Sequence, residues 1–201
     1  MERIRAFISI ELPVNLKQEM VQLLGRLQKT GDQRWIKWVD PYNIHLTVKF
    51  LGNVSGEILK NITKAMENVV TEIPQFNLKV SRLGVFPNMN RVRIVWIGIG
   101  GELDKLNQLQ ALVENNLLTL GFVAESHAFV PHLTLARLRD QTPCVERQRL
   151  GQLIASTNFE TSCTVQVRAI NLTKSQLTKG GAVYSVISSV SLGNPLSTIG
   201  G

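Results

Sequence analysis

Residues 43–52 read Asn43-Ile44-His45-Leu46-Thr47-Val48-Lys49-Phe50-Leu51-Gly52, and residues 130–137 read Val130-Pro131-His132-Leu133-Thr134-Leu135-Ala136-Arg137. The tripeptide His-Leu-Thr occurs in both apolar runs, in a chain with only 3 histidines. On a strand, residues i and i+2 share a face. Each run therefore sets an imidazole beside a hydroxyl, His45 with Thr47 and His132 with Thr134. Ile44, Leu46, Val48 and Phe50 then face a core, as do Leu133 and Leu135. Lys49 shares parity with His45 and Thr47 and would add positive charge to their face. Arg137, three past Thr134, points to the core side and reaches the histidine face only if the strand bends or ends there. Two such strands facing one another make a cleft with two imidazoles and two hydroxyls.

The flanking segments supply the scaffold. Ile4 to Leu12 reads as a strand of imperfect alternation, and Pro13 opens a helix carrying Leu16, Met20, Leu23, Leu24 and Leu27. Ser55 is an N-cap for a second helix with Ile58, Ile62, Met66 and Val69. Phe76, Leu78 and Val80 alternate as a half-buried strand, residues 84–90 form a loop, and Arg91 to Ile99 form a strong strand. Leu103, Leu106, Leu109, Val113, Leu117 and Leu120 make a helical stripe that Gly121 closes. Thr142 caps a helix with Pro143 at its first position. Ser162 to Thr173 and Ala182 to Leu192 are two strands joined by a loop over 174–181, and the tail from Gly193 is turn-rich. The order helix, histidine strand, helix, paired strands recurs, at a spacing far too long for a solenoid repeat. The expectation is one α+β unit over residues 1–201, bilobal and pseudo-twofold. Mainly antiparallel sheets carry helices on the outside and enclose a central cleft.

Lys and Arg outnumber Asp and Glu by 22 to 15, a net charge of +7 that favours an anionic partner such as an RNA backbone. Cys144 and Cys163 form no disulfide pattern and read as reduced thiols of a cytoplasmic protein. The opening apolar run is too short for a signal peptide, and no segment approaches the roughly 18 apolar residues of a membrane span. No additional apolar stripe is evident, so a monomer is expected. Two histidines across a cleft can serve as general base and general acid near neutrality. The threonines can donate to phosphoryl oxygens, and such a set needs no metal and no cofactor. A zinc site would want closely spaced ligands, yet His127 and His132 are five apart and no His-x-x-x-His occurs. There is no Gly-x-Ser-x-Gly elbow and no phosphate-binding glycine loop, and Gly98-Ile99-Gly100 lacks the dinucleotide fingerprint.

Taken singly, a histidine in an apolar strand is more often structural than catalytic. Two copies of His-x-Thr at matching places change that balance. His127 has no such company and is assigned to structure or surface. Trp35, Trp38 and Phe129 are assigned to the core or the cleft wall, and Arg91 and Arg93 to a solvated strand face. The competing reading is a module that holds RNA ends or nucleotides without turnover, which would not need both imidazoles.

His45-Leu46-Thr47-Val48-Lys49-Phe50-Leu51-Gly52 and Pro131-His132-Leu133-Thr134-Leu135-Ala136-Arg137 resemble the paired motifs of the two-histidine phosphoesterases. The resemblance is strongest to the RNA 2′,3′-cyclic phosphodiesterase branch, historically called 2′-5′ RNA ligases. It extends to Arg5-Ala6-Phe7-Ile8-Ser9-Ile10-Glu11-Leu12-Pro13, Trp38-Val39, Ser175-Gln176-Leu177, Gly181 and Tyr184, and so spans nearly the whole chain. It implies metal-independent hydrolysis of a 2′,3′-cyclic phosphate, on RNA or a small nucleotide, to a 2′-phosphate. It also implies His45 as general acid and His132 as base, with Thr47, Thr134 and Arg137 on the phosphate. Relatives act on 2′-5′ linkages and other cyclic phosphates, so the substrate stays open. The two motifs are alike enough that the acid and base roles stay open as well.

Overall fold

The computed structural model describes residues 3–178 and 181–193. In chain order the elements are β1 (Arg3–Ile10), α1 (Val14–Thr30), β2 (Ile36–Trp38), β3 (Leu46–Ser55), α2 (Leu59–Val70), β4 (Phe76–Phe86) and β5 (Ile94–Gly101). They continue with α3 (Leu103–Leu118), β6 (His132–Leu138), α4 (Cys144–Ser156), β7 (Thr164–Val167), β8 (Ala169–Thr178) and β9 (Gly181–Ser191). The strands make one curled sheet in the order β7-β4-β5-β6-β3-β1-β8-β9, with β2 paired to β6. Every strand pairing is antiparallel. The order reads as two sets of four, with β3 and β6 meeting in the middle through the single pair Leu46↔Leu133. Helices recur in step: one follows β1 and one β5, one follows β3 and one β6.

Helix signals in the sequence account for the ends. The Ser55 hydroxyl accepts from the Glu57 amide in a short 3₁₀ turn that leads into α2. Gly121, at φ 84°, closes α3 while the Phe122 amide donates to the Leu117 carbonyl over 3.2 Å. Thr142 does not cap α4: its hydroxyl donates to the Arg139 carbonyl, and Pro143 occupies the N-cap position. Ile44, Leu46, Leu133 and Leu135 are almost fully buried, and one apolar cluster joins them to Leu16, Met20, Ile62, Met66, Leu106 and Leu109 of the helices. β1 is buried on both faces from Ala6 to Ile10, which is why its alternation is imperfect.

Several strand boundaries differ from the sequence reading. β4 runs on to Phe86, into the expected loop, and β5 begins at Ile94. The expected strand from Ser162 to Thr173 is two strands that belong to opposite halves of the sheet. β7 pairs with β4 at one edge, whereas β8 pairs with β1 and β9 near the other. Only Arg168 separates them, so the sheet curls far enough to bring its two ends within one residue's reach. β8 and β9 form a long hairpin, so the expected loop over 174–181 is strand as far as Thr178. The tail beyond Gly193 lies outside the described residues. β9 presents Val183, Val186 and Ile187 to solvent. That exposed apolar edge removes the sequence argument for a monomer. Among the described residues no helix is long and apolar enough to cross a membrane.

Candidate active site

The site is built where the two halves meet. Leu46 and Leu133, paired and buried, point into the core. Continuing that antiparallel register sets His45 beside Thr134 and Thr47 beside His132, all on the opposite face. The four polar side chains expected from the two His-Leu-Thr runs are therefore neighbours. Neither threonine hydroxyl hydrogen bonds to another described residue. Both remain available as donors.

Each imidazole is oriented in the same way. His45 Nδ1 lies 2.8 Å from the Asn43 carbonyl, and His132 Nδ1 lies 2.7 Å from the Val130 carbonyl. A carbonyl only accepts, so Nδ1 carries the hydrogen in both rings, and Nε2 is left to exchange protons. Aromatic rings then enclose each histidine. Phe7 stacks on His45 with centroids 4.6 Å apart, and Tyr184 meets it edge-on at 5.0 Å. Phe86 meets His132 edge-on at 5.1 Å, and Trp96 lies at 6.4 Å. Sequence reasoning assigned none of these four to the site. Trp96 faces Thr134 across β5 and β6, a pairing that strand parity alone does not give.

Burial holds both imidazoles below the ordinary histidine value. The charges beside them differ in sign. For His45, the hydrogen bond to Asn43 and the Glu11 carboxylate oppose the effect of burial, with Lys17 adding to it. For His132, the Val130 carbonyl opposes burial, while the Arg137 guanidinium reinforces it. Lys17 is itself tied to the Glu11 carboxylate and donates to the Tyr42 carbonyl over 2.9 Å.

Two β-bulges decide what else reaches this face. On β6, Thr134 pairs with Trp96 and Ala136 with Val95, so Leu135 is an extra residue without a partner on β5. Leu135 and Ala136 are both buried, and the parity flips. Arg137 emerges exposed on the histidine face, which meets the condition set by its spacing. On β3, Val48 is extra in the same way, between Thr47↔Ser9 and Lys49↔Ile8. Here the sequence reading is overturned. Lys49 turns into the interior, 4 % exposed, where Nζ reaches Glu114 at 2.8 Å and the Val123 carbonyl at 2.8 Å. Phe50, expected in the core, is 55 % exposed instead. Phe50 thus occupies on β3 the place that Arg137 occupies on β6, and the two halves of the site are unlike.

A cavity of about 150 Å³ opens beside His45, lined by Ser9, Glu11, Tyr42, Asn43, Thr173, Tyr184 and Val186. Ser9 and Thr173 share a hydrogen bond of 3.0 Å at its wall. A larger cavity, about 720 Å³, lies between the end of α1 and α4 and holds neither catalytic candidate. Its Arg34 and Arg149 are already paired with Asp32 and Glu146. His127 is exposed, and Trp35, Trp38 and Phe129 pack against the core. Among the described residues, no group of three or more His, Cys, Asp or Glu side chains converges to hold a metal ion.

Comparison with known proteins returns to the same two runs. The family described as LigT-like phosphoesterase matches twice, over residues 10–96 and 97–184. A Methanocaldococcus jannaschii protein named RNA 2′,3′-cyclic phosphodiesterase is 33% identical over 183 residues, 91% of this chain and 98% of its own. An Aquifex aeolicus protein of the same name is 29% identical over 195 residues, covering 96% and 100%. Among solved structures, one from Thermus thermophilus superposes with a TM-score of 0.75 at 24% identity, over 96% of this chain and 100% of that one. Escherichia coli LigT with 3′-AMP superposes with a TM-score of 0.73 at 24% identity, over 95% and 99%.

Proposed function

The chain belongs to the LigT-like phosphoesterase family, and from that premise we propose that it hydrolyses 2′,3′-cyclic phosphates at RNA ends to 2′-phosphomonoesters. The observation that carries this is the pair of His-x-Thr sets, side by side on one open face, each with Nδ1 anchored and Nε2 free. His132, kept neutral by burial and by Arg137, takes a proton from water as the water oxygen attacks phosphorus. The P–O3′ bond breaks on the far side, and His45 gives its proton to the departing 3′ oxygen. Burial lowers the pKa of both imidazoles, but the Glu11 carboxylate opposes it at His45 where the Arg137 guanidinium reinforces it at His132, and that difference in sign supports this order of roles. Thr47, Thr134 and Arg137 hold the phosphoryl oxygens, the guanidinium by paired N–H donors. With a 5′-hydroxyl attacking in place of water, the same ring opening at P–O3′ forms a 2′-5′ linkage, and its reversal restores the cyclic phosphate and releases the 5′-hydroxyl.

The reaction as written needs neither metal nor cofactor, because a strained cyclic ester and two proton carriers suffice. Reading residues 1–201 as one duplicated unit is supported by the double family match and the mirrored strand order. A monomer remains the working unit because both histidine sets come from one chain. A cytoplasmic setting is supported by two cysteines that form no bond with each other.

The test is substitution of each histidine. His45→Ala and His132→Ala should each lower kcat by about 10³-fold with the native fold retained by circular dichroism, and the wild-type rate should be bell-shaped in pH. A loss under tenfold from either variant would remove that histidine from the mechanism.

A further inference from the structure

The sheet register sets a second cation beside Arg137. Lys37, the middle residue of β2, pairs directly with Arg137 on β6. Directly opposed residues share a face, and the Leu135 bulge makes it the histidine face. Both side chains are exposed, and neither forms a salt bridge within the described residues. Like charges directly opposite one another destabilise a sheet. This pairing is therefore unfavourable in the empty protein, and anions between the two side chains relieve it.

The position of Lys37 tells which anion. Ala136 pairs with Val95 on one side and Trp38 on the other, and Leu133 pairs with Ile97 and Leu46 in the same manner. β2 and β3 thus lie along one edge of β6, away from β5. His45, beside Thr134, and Lys37, opposite Arg137, stand on that edge separated by the span that Trp96 and Ile94 cover on β5, two residues or about 7 Å at the usual strand rise. The edge with His45 is the one on which the 3′ oxygen lies, and so the one that faces the ribose, which stays bonded to phosphorus through O2′. The Val39 amide fixes the arrangement by donating to the Leu135 carbonyl at the bulge over 2.8 Å.

We propose that Lys37 binds the phosphodiester one nucleotide upstream of the cyclic phosphate, so that the enzyme selects the end of an RNA chain over a free cyclic mononucleotide. The inference rests on the assignment of His45 to the leaving-group side. It gives Lys37 a part in substrate selection and none in proton transfer.

The experiment uses two dinucleotides ending in a 2′,3′-cyclic phosphate, one with an ordinary internal phosphodiester and one with an uncharged methylphosphonate linkage. Each is assayed with the wild type, Lys37→Ala and Lys37→Arg, and binding of the two 2′-phosphate products is titrated at several salt concentrations. The wild type should prefer the charged linkage about fivefold in kcat/KM, mainly through KM. Lys37→Ala should erase the preference and Lys37→Arg restore it. For product binding, Lys37→Ala should flatten the plot of log K against log salt by about 0.7 for the charged dinucleotide alone. A preference that survives in Lys37→Ala, or a wild type indifferent to the linkage, would overturn the subsite. If no variant turns over either dinucleotide, the cyclic-phosphate reading fails, and the binding comparison still decides on Lys37.

Discussion

Lys49 and Arg137 show how one inserted residue can reverse the meaning of a position. Strict alternation puts Lys49 in the cleft and Arg137 in the core, and the structure does the opposite with both. A bulge contributes no side-chain pattern of its own, so alternation counted from the histidines fails after Val48 and after Leu135. The histidines and threonines precede the bulges, which is why they were legible. Burial of Lys49 against Glu114 makes it a structural residue with a measurable signature. Removing one partner of a buried pair leaves an uncompensated charge. Lys49→Met should therefore cost about 3 kcal/mol in urea denaturation while kcat/KM stays within about twofold. A large loss of turnover at unchanged stability would return Lys49 to the phosphate. The aromatic rings around the histidines were harder to read, because Phe7 and Tyr184 come from β1 and β9, far apart in sequence.

At the scale of elements, helices were more legible than strands. Their 3.6-residue stripes are long, and Pro13, Ser55 and Gly121 mark their ends. Strand partners follow from the curl of the sheet, which no local pattern encodes. The run from Ser162 to Thr173 has a continuous strand composition, yet Arg168 divides it between the two halves. One contact of α4 makes a specific prediction. Gly151 lies against the Met89 backbone between β4 and β5, and a Cβ there would overlap the Met89 carbonyl. A backbone atom cannot rotate away as a side chain can. Gly151→Ala should destabilise the protein by about 2 kcal/mol through overpacking, measured by denaturant midpoint. An unchanged midpoint would mean that α4 shifts outward freely.

For the whole molecule, the two halves share a sheet but differ in charge: Glu11 and Lys17 act on His45, whereas Arg137 acts on His132. Duplication was legible from the repeated tripeptide, whereas this asymmetry required the register. Burial of the two imidazoles also couples stability to pH. Above about pH 6.5 both are neutral in the folded and unfolded chains, and their contribution is complete. Below that, the unfolded chain takes up protons that the folded one resists. Stability is lost as pH falls through the lowered folded values. Urea midpoints should therefore drop between about pH 7 and pH 5, and drop less in a His45→Gln variant. A pH-independent midpoint over that range would mean that the imidazoles are not desolvated.

The most direct measurement incubates an RNA dinucleotide ending in a 2′,3′-cyclic phosphate with the enzyme in EDTA and identifies the position of the product phosphate. A 2′-phosphate, formed at the same rate without EDTA and lost in both histidine variants, is the expected result. Loss of turnover in EDTA that added divalent metal restores would contradict the two-histidine mechanism. A 3′-phosphate product would contradict the departure of the 3′ oxygen toward His45.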